Sequence, residues 1–499
     1  MLEWIWLGGK RMIPNISSDQ GYGADDQLTN ASYESKIFSG DYAASHRSLR
    51  FAVGRIAAVA STLLCFGLVL KPQAASALPS YARQTGQPCA TCHTAFPELT
   101  PYGREFKLGG YTAGGGLPFA KAPPIAVMIQ GPQFEHFGQN LDSPPTSNTH
   151  TNNNVALGQA SLFYGGQIYG NLGAFIQGTY DGVGNRIALD NTDIRYADKA
   201  KLFGTDLIWG IDVNNNPTVQ DVWNTTPAWG LPYISAATGP GFGPPGTMLE
   251  GTFAGTVAGA GVYTWWHDMI YAEVTGYFSP SQSTLNALGE GLGNTAIDGV
   301  APYWRLAFAP TFGEHSFMIG TFGMLANEVP GGTFGFGTDQ ILDLGFDAQY
   351  QFIHQKHAFE AKVSDINEYS QYNSSFVQGI ASNPSDRLNS FRATLDYVYD
   401  NTYSFTASYF NVSGSADALY GTNSITGNPL SPNSNGFLFD VAYLPFSHGG
   451  PSAYPWLNAR FGLSYTKYLT LYGGATNFDG LNHNASGNDT LLAYSWIMF

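Results

Sequence analysis

Thiols, basic residues and long apolar runs are all scarce in this 499-residue chain, and each scarcity closes a class of explanation. Cysteine occurs three times, too few for a disulfide framework, and Cys65 falls in a stretch read below as a removable leader, which leaves Cys89 and Cys92 as the only thiols of the mature protein. Lys and Arg number 22 against 37 Asp and Glu, a formal charge of −15 that argues against nucleic acid and for cations or cationic partners. Only 12% of residues are charged, while 14% are aromatic and glycine occurs 60 times, a thin charge supply for the surface of several soluble domains. From Pro124 onward there is no apolar run long enough for a membrane helix and no nucleophilic triad or phosphate loop.

What is present begins with an export pattern set unusually far into the chain. Residues 1–45 are polar and aperiodic, an extension expected to come from a start codon placed too early. From His46 the chain has a basic region with Arg47, Arg50 and Arg55, an apolar run from Ile56 to Leu70, and the small residues Ala75-Ser76-Ala77. This is a signal-peptide pattern over 46–77, with the mature chain expected to start at Leu78.

Cys89-Ala90-Thr91-Cys92-His93 then places two thiols at the spacing of the two vinyl groups of a porphyrin, with a histidine directly after them to bind iron. This is the pattern of a c-type haem attachment site. A zinc site would need two more close ligands, and a redox dithiol would need a βαβ context; neither lies nearby. Thr100-Pro101 is a helix start and Gly109-Gly110 a stop, so Pro101 to Leu108 is expected to be a short helix behind the motif. On it, Arg104 and Lys107 are read either as partners of haem propionates or as solvated charges. A segment of residues 78–120 cannot bury a haem alone and must borrow cover from the rest of the chain.

The run LPSYARQTGQPCATCHTAFPELTPYGREFKLGGY, Leu78 to Tyr111, resembles the N-terminal segment of the outer-membrane monohaem cytochrome-porin fusion family, whose best-known members oxidise ferrous iron at the cell surface. The resemblance implies one covalently bound haem c, held by a porin-like barrel.

The remainder, 124–499, supports that expectation independently. Leu342, Leu344, Phe346, Ala348, Tyr350 and Phe352 share one face of a strand, and Asp343, Gly345, Asp347, Gln349 and Gln351 the other. The same split recurs over 359–364, 391–399 and 403–409. A sandwich would share its apolar face between two sheets and use shorter strands, so the pattern favours a transmembrane antiparallel all-β barrel. About sixteen strands are expected, starting near Ile125, Val155, Gly173, Arg186, Phe203, Thr247, Met269, Val300, Ser316, Asp339, Ala358, Leu388, Thr402, Gly436, Trp456 and Asp489. Tight connections at 266–268, 313–315, 354–357 and 400–401 alternate with long polar ones at 139–154, 281–299, 372–387 and 413–434. Both termini, and with them the haem segment inside or at the mouth of the barrel, are therefore expected on the periplasmic side of a bacterial outer membrane. An aromatic- and Pro-rich insertion over 214–246 is either a lumen constriction or a surface cap.

His93 is the expected proximal iron ligand. Met128 and His136 share the even-numbered, lumen-facing side of the first strand and are the candidates for the distal position, with turn histidines His267, His315, His354, His357 and His448 as rivals. Glu273, Asp343, Asp347, Glu360, Asp365, Asp396 and Asp440 are expected to point inward. There they either attract Fe(II) or pair with Arg305, Lys362, Arg392 and Arg460 in a lumen network. The functional expectation is electron transfer, an Fe(II)-oxidising activity by resemblance. An extracellular donor, Fe(II) or another reductant, would pass electrons through the haem to a periplasmic carrier. The alternatives are a diffusion porin with a structural or sensory haem and a protein serving a non-iron donor.

Overall fold

The alternation read from the sequence becomes sixteen staves. The computed structural model describes residues 73–74, 78–114, 123–290, 295–332, 334–450 and 456–499. The extension at 1–45 and the leader at 46–77 fall, Gln73–Ala74 apart, outside the described residues. In chain order the staves are β1 (Ile125–Gln130 continued by Gln133–Phe137), β2 (Asn154–Ala156 continued by Gln159–Tyr169), β3 (Leu172–Asp181), β4 (Arg186–Leu202), β5 (Thr205–Asn214), β6 (Ala258–Trp266) and β7 (Ile270–Phe278). Then follow β8 (Ala301–Phe308, with Thr295–Ile297 before it and Thr311–Phe312 after it), β9 (His315–Pro330), β10 (Asp339–His354), β11 (His357–Gln371) and β12 (Ser385–Tyr399). The last are β13 (Tyr403–Gly414), β14 (Ser434–Tyr443), β15 (Asn458–Thr470) and β16 (Thr490–Met498). Every neighbouring pair is antiparallel. The barrel closes where β16 meets β1, Met128 facing Met498 and Phe137 facing Thr490. Closure leaves no sheet edge unpaired, the condition for a β-structure in lipid.

The two faces of each stave differ in chemistry. On β12 and β13, Leu395, Tyr397, Phe405 and Tyr403 stand on the outside, while Asp396, Thr394, Ser404 and Thr406 are buried within. From the His357–Tyr399 pair to the Asn367–Asn389 pair the ladder runs eleven paired residues, or ten steps. That is about 33 Å along a strand, or about 25 Å of height at the usual tilt, the depth of an outer-membrane apolar band. Among the described residues no helix is long and apolar enough to cross a membrane; the crossing is made by strands. The protein is an outer-membrane β-barrel, with tight turns at the end that carries both ends of the stave series and long loops at the other.

Glycine's abundance has a packing cause on the inner face. Gly345 of β10 faces Phe322 of β9, and a Cβ there would lie 2.4 Å from the ring. A bulky lumen side chain thus lies flat across its neighbour's glycine.

Fifteen of the sixteen expected strand starts fall within three residues of the observed ones. The exception is Thr247. Instead of opening a strand, it leads into a kinked turn at Met248–Thr252, with the Glu250 carboxylate accepting from the Thr247 amide at 2.9 Å, and β6 begins only at Ala258. The insertion therefore spans 215–257, eleven residues beyond its expected end. It enters the barrel: Val219, Val222 and Trp223 are buried, Thr225 Oγ1 bonds Asp347 at 2.5 Å, and the amide of Leu249 bonds Asp343 at 2.8 Å. Of the two expectations for this segment, constriction and cap, the structure has the constriction.

Candidate functional site

Three short helices precede the barrel: α1 (Pro79–Thr85), α2 (Cys89–Cys92) and α3 (Pro101–Leu108). The last matches its expected limits, and Thr100 caps it by accepting from the amide of Gly103 at 3.2 Å. Gly103 has a second task. A Cβ there would lie 2.2 Å from the carbonyl oxygen of Cys92, so only glycine lets α3 pack directly on the Cys-X-X-Cys turn. Thr100 adds a hydrogen bond from its hydroxyl to the Thr91 carbonyl at 2.6 Å and one from its amide to the Cys92 carbonyl at 2.9 Å.

This unit sits inside the periplasmic mouth. Asn401, in the β12–β13 turn, donates to the carbonyls of His93 and Thr94 at 3.1 and 2.9 Å, and the Ala90 amide donates to the Ser447 carbonyl at 3.3 Å. Asn458 of β15 donates to Cys89 Sγ at 2.9 Å, and Cys89 is only 2% exposed. Deeper in, Lys362 of β11 clasps the Glu98 carboxylate, and Arg460 of β15 donates to the Phe96 carbonyl at 2.6 Å. Glu98, Asn401 and Asn458 were not singled out from the sequence. Glu98 was the most legible, as a carboxylate in an otherwise apolar and small-residue stretch.

The chemistry of the motif follows from these placements. His93 Nδ1 lies 3.1 Å from the carbonyl oxygen of Glu98. A carbonyl can only accept, so Nδ1 carries the proton and Nε2 keeps its lone pair, the tautomer suited to binding a metal. Burial pulls His93 down to about 4, against the opposing pull of the Glu98 and Pro97 carbonyls, so the ring is neutral over the ordinary range. Burial also pushes the Cys89 thiol up, and Cys92 up to about 11. These are the reverse of the lowered values that a dithiol redox centre needs. Among the described residues no three His, Cys, Asp or Glu side chains gather as a metal site. Two free thiols one helical turn apart, followed by an imidazole with an available Nε2, fit thioether attachment and axial ligation of one porphyrin.

The two distal candidates separate. Met128, 3% exposed, faces the lumen and packs in the same buried cluster as Ala95 and Phe96, two and three residues past His93; Gln130 Nε2 approaches its sulfur at 3.9 Å. His136 does not face the lumen. The strand breaks at Gly131-Pro132, where β1 is interrupted, and alternation resumes with odd numbers inward. Gln133 and Glu135 are buried, whereas His136 is exposed and bonded through Nδ1 to Asn153 at 2.9 Å. The turn histidines His267, His315, His354, His357 and His448 lie on the exposed periplasmic rim, His354 paired with Glu314 and His448 with Asp400.

Arg104 and Lys107 are neither solvated nor left free for propionates. Arg104 donates to the Leu99 carbonyl at 3.0 Å and reaches Gln349 and Gln351 on the wall. Lys107 donates to the carbonyls of Val219 and Asp221 at 2.7 and 2.8 Å, joining α3 to the insertion.

The inward carboxylates are engaged by the chain itself. Glu273 accepts from Gln220, Tyr271 and Thr275; Asp343 from Leu249; Asp347 from Thr225 and Arg305; Glu360 from Gln351; Asp396 from Ser404 and Thr406; Asp440 from Arg460 and Tyr494. Asp365 departs from the expectation. It shares parity with Val363, lies on the outer face, and accepts from Asn367 at 2.9 Å and Asn389 at 2.7 Å at the polar edge of the band. Three of the four expected lumen cations pair: Arg305 with Asp221 and Asp347, Lys362 with Glu98 and Glu360, Arg460 with Asp440. Arg392 does not.

Among solved structures, the chain is similar to a loop-deletion form of the outer membrane protein OmpT of Vibrio cholerae (10% identity, 75% of this chain and 97% of that one, TM-score 0.38). It is similar to the outer membrane channel DcaP of Acinetobacter baumannii (9% identity, 75% and 96%, TM-score 0.42) and to OmpF of Salmonella typhi (11% identity, 75% and 97%, TM-score 0.37). No protein-family model matches the sequence, and no curated protein matches it.

Proposed function

We propose that this outer-membrane barrel is a monohaem electron-transfer protein that takes electrons from an extracellular donor, Fe(II) foremost, and passes them to a periplasmic carrier. The carrying observation is the His93 Nδ1 contact with the Glu98 carbonyl at 3.1 Å, which frees Nε2 beside two protonated thiols in a segment held within the barrel mouth. Cys89 and Cys92 would hold a haem covalently, His93 would ligate its iron from one side, and Met128 is the residue proposed for the other. Bound haem supplies a one-electron couple, and a thioether ligand raises its potential.

The chain's own residues do the rest of the work. Asn401, Asn458, Lys362 and Arg460 fix the motif relative to the wall, so that the attachment point does not drift. Outer-sphere transfer asks for such fixed proximity and for potential, not for a general acid or base. The Fe(II) assignment rests on the resemblance of Leu78–Tyr111 to the N-terminal segment of a family whose best-known members oxidise iron. The stoppered lumen, with α1–α3 below and the insertion above, supports electron transfer over a diffusion channel.

The test uses the full-length protein matured in a host that attaches haem c and reconstituted in liposomes. External Fe(II) should reduce the haem on mixing, and His93→Ala should abolish the native spectrum. C89A/C92A should leave a folded barrel without covalent haem. A wild-type protein that acquires no covalent haem sinks the proposal. Inert haem together with free solute permeation would establish the diffusion reading, and reduction by an organic reductant but not by Fe(II) would change the donor.

A further inference from the structure

Between the insertion and the extracellular halves of β9 to β16 lies a cavity of about 510 Å³, within the range of pockets that take small molecules. Its roof includes Pro244 and Tyr420, and its floor is reached by Thr225, Ser364 and Arg392.

Arg392 is out of balance there. Its ladder neighbours are Ser364 on β11 and Phe410 on β13, neither of them acidic. Among the described residues it makes no ion pair or hydrogen bond, unlike Arg305, Lys362 and Arg460. The carboxylates that share the cavity are already occupied. Glu250 accepts from the Ser390 hydroxyl at 2.8 Å and the Thr247 amide at 2.9 Å, Asp339 accepts from the amides of Ser374 and Ser375 at 2.7 and 3.0 Å, and Glu328 is likewise engaged. Glu250 attracts the Arg392 guanidinium without bonding it, so what the cavity is left with is a set of N–H donors that no protein acceptor takes up. A guanidinium fork at the floor of a partly desolvated pocket is the group that holds a carboxylate through two parallel hydrogen bonds. Around it, Ser364, Ser390 and Thr466 offer hydroxyls, while Tyr468, Tyr472 and Leu438 offer ring and aliphatic surface.

We propose that this vestibule is a binding site for a small organic monocarboxylate with a hydroxylated or aromatic body, anchored by Arg392. The proposal is independent of the haem reading and concerns the opposite half of the lumen. It accounts for an arginine left without a bonded partner where Arg305, Lys362 and Arg460 each have a carboxylate.

The probe is 4-hydroxybenzoate, with neutral 4-hydroxybenzamide as its control, titrated calorimetrically into the full-length protein in detergent. Wild type should bind the carboxylate saturably and at least about tenfold more tightly than the amide. Arg392→Gln should remove that preference, and Arg392→Lys should keep part of it. Equal binding of carboxylate and amide by wild type, an unchanged preference in Arg392→Gln, or no saturable binding of the carboxylate would each overturn the proposal. Folding of the variants is checked by heat-modifiable migration, and the carboxylate–amide comparison on wild type decides the matter even if a variant does not fold.

Discussion

Lys107 Nζ, on α3, lies 2.7 Å from the carbonyl oxygen of Val219 in the insertion. One ammonium thereby ties the segment before the barrel to the loop that fills its middle, and a second bond from the same nitrogen to Asp221 at 2.8 Å doubles the tie. Lys107→Met keeps the aliphatic stem and leaves the Asp221 carbonyl without its donor, while Val219 keeps the Trp229 indole N–H at 2.6 Å, a loss of about 1–3 kcal/mol. The expected result is faster protease cleavage within 215–257 and a lower urea midpoint for loss of the compact form on gels.

Arg305 holds Asp347 at 2.7 Å and Asp221 at 3.3 Å, all three fully buried. Arg305→Ala strands two carboxylates and should cost about 3–5 kcal/mol. Adding Asp347→Ala should restore part of the loss, since the second change removes one uncompensated charge. A double-mutant cycle on detergent-solubilised protein measures it.

Exchanging 217–255 for a short Gly-Ser linker removes the constriction while leaving β5 and β6 paired through Asn214–Gly259. Single-channel conductance in planar bilayers should rise severalfold over wild type. An unchanged conductance would mean that α1–α3 alone seal the barrel.

At the extracellular end, His483 places Nδ1 2.5 Å from Asp479 and Nε2 3.3 Å from Asp142, and the Phe242 ring of the insertion packs against it, tilted, at 5.0 Å. Burial works against the charged ring, but the hydrogen bonds to the two carboxylates prevail and raise its pKa. A base raised on folding gives its full stabilisation below its ordinary value of about 6.5 and loses it as pH climbs through the raised one. Segments 138–153 and 471–489 should therefore resist proteolysis in mildly acid buffer and become cleavable as pH rises through that window. His483→Ala should be cleavable throughout.

Val363, on the outer face midway up the apolar band, faces Ala393. Val363→Arg should cost about 2–4 kcal/mol in refolding into lipid, whereas Ser364→Arg, one residue along and facing the lumen, should cost far less. Equal costs would contradict the assignment of faces.

The sequence alone made the staves legible because period-two alternation in a barrel has a single cause, lipid outside and a polar lumen inside. The Cys89–His93 turn was legible because its chemistry fits in five residues. Misreadings came where local pattern and tertiary context part. Parity fails at His136 because Gly131-Pro132 interrupts the strand. Asp365, expected inward, shares the outer face with Val363 because strand parity and not charge decides the side. Thr247 follows a long loop as a strand start would, yet its amide donates to Glu250 and the chain turns there instead. Arg104 and Lys107 could not be placed without knowing that the lumen wall and the insertion stand on either side of α3.

Pairing of Met128 with Met498 joins the first stave to the last, so the ring cannot shut until the C-terminus has been exported. By then α1–α3 must already lie inside the circle, because Cys89 is walled in by β15 and by the 444–448 turn. A group attached to that sulfur would have to be attached before the ring shuts, which would make maturation of the motif and insertion of the barrel successive events in a fixed order.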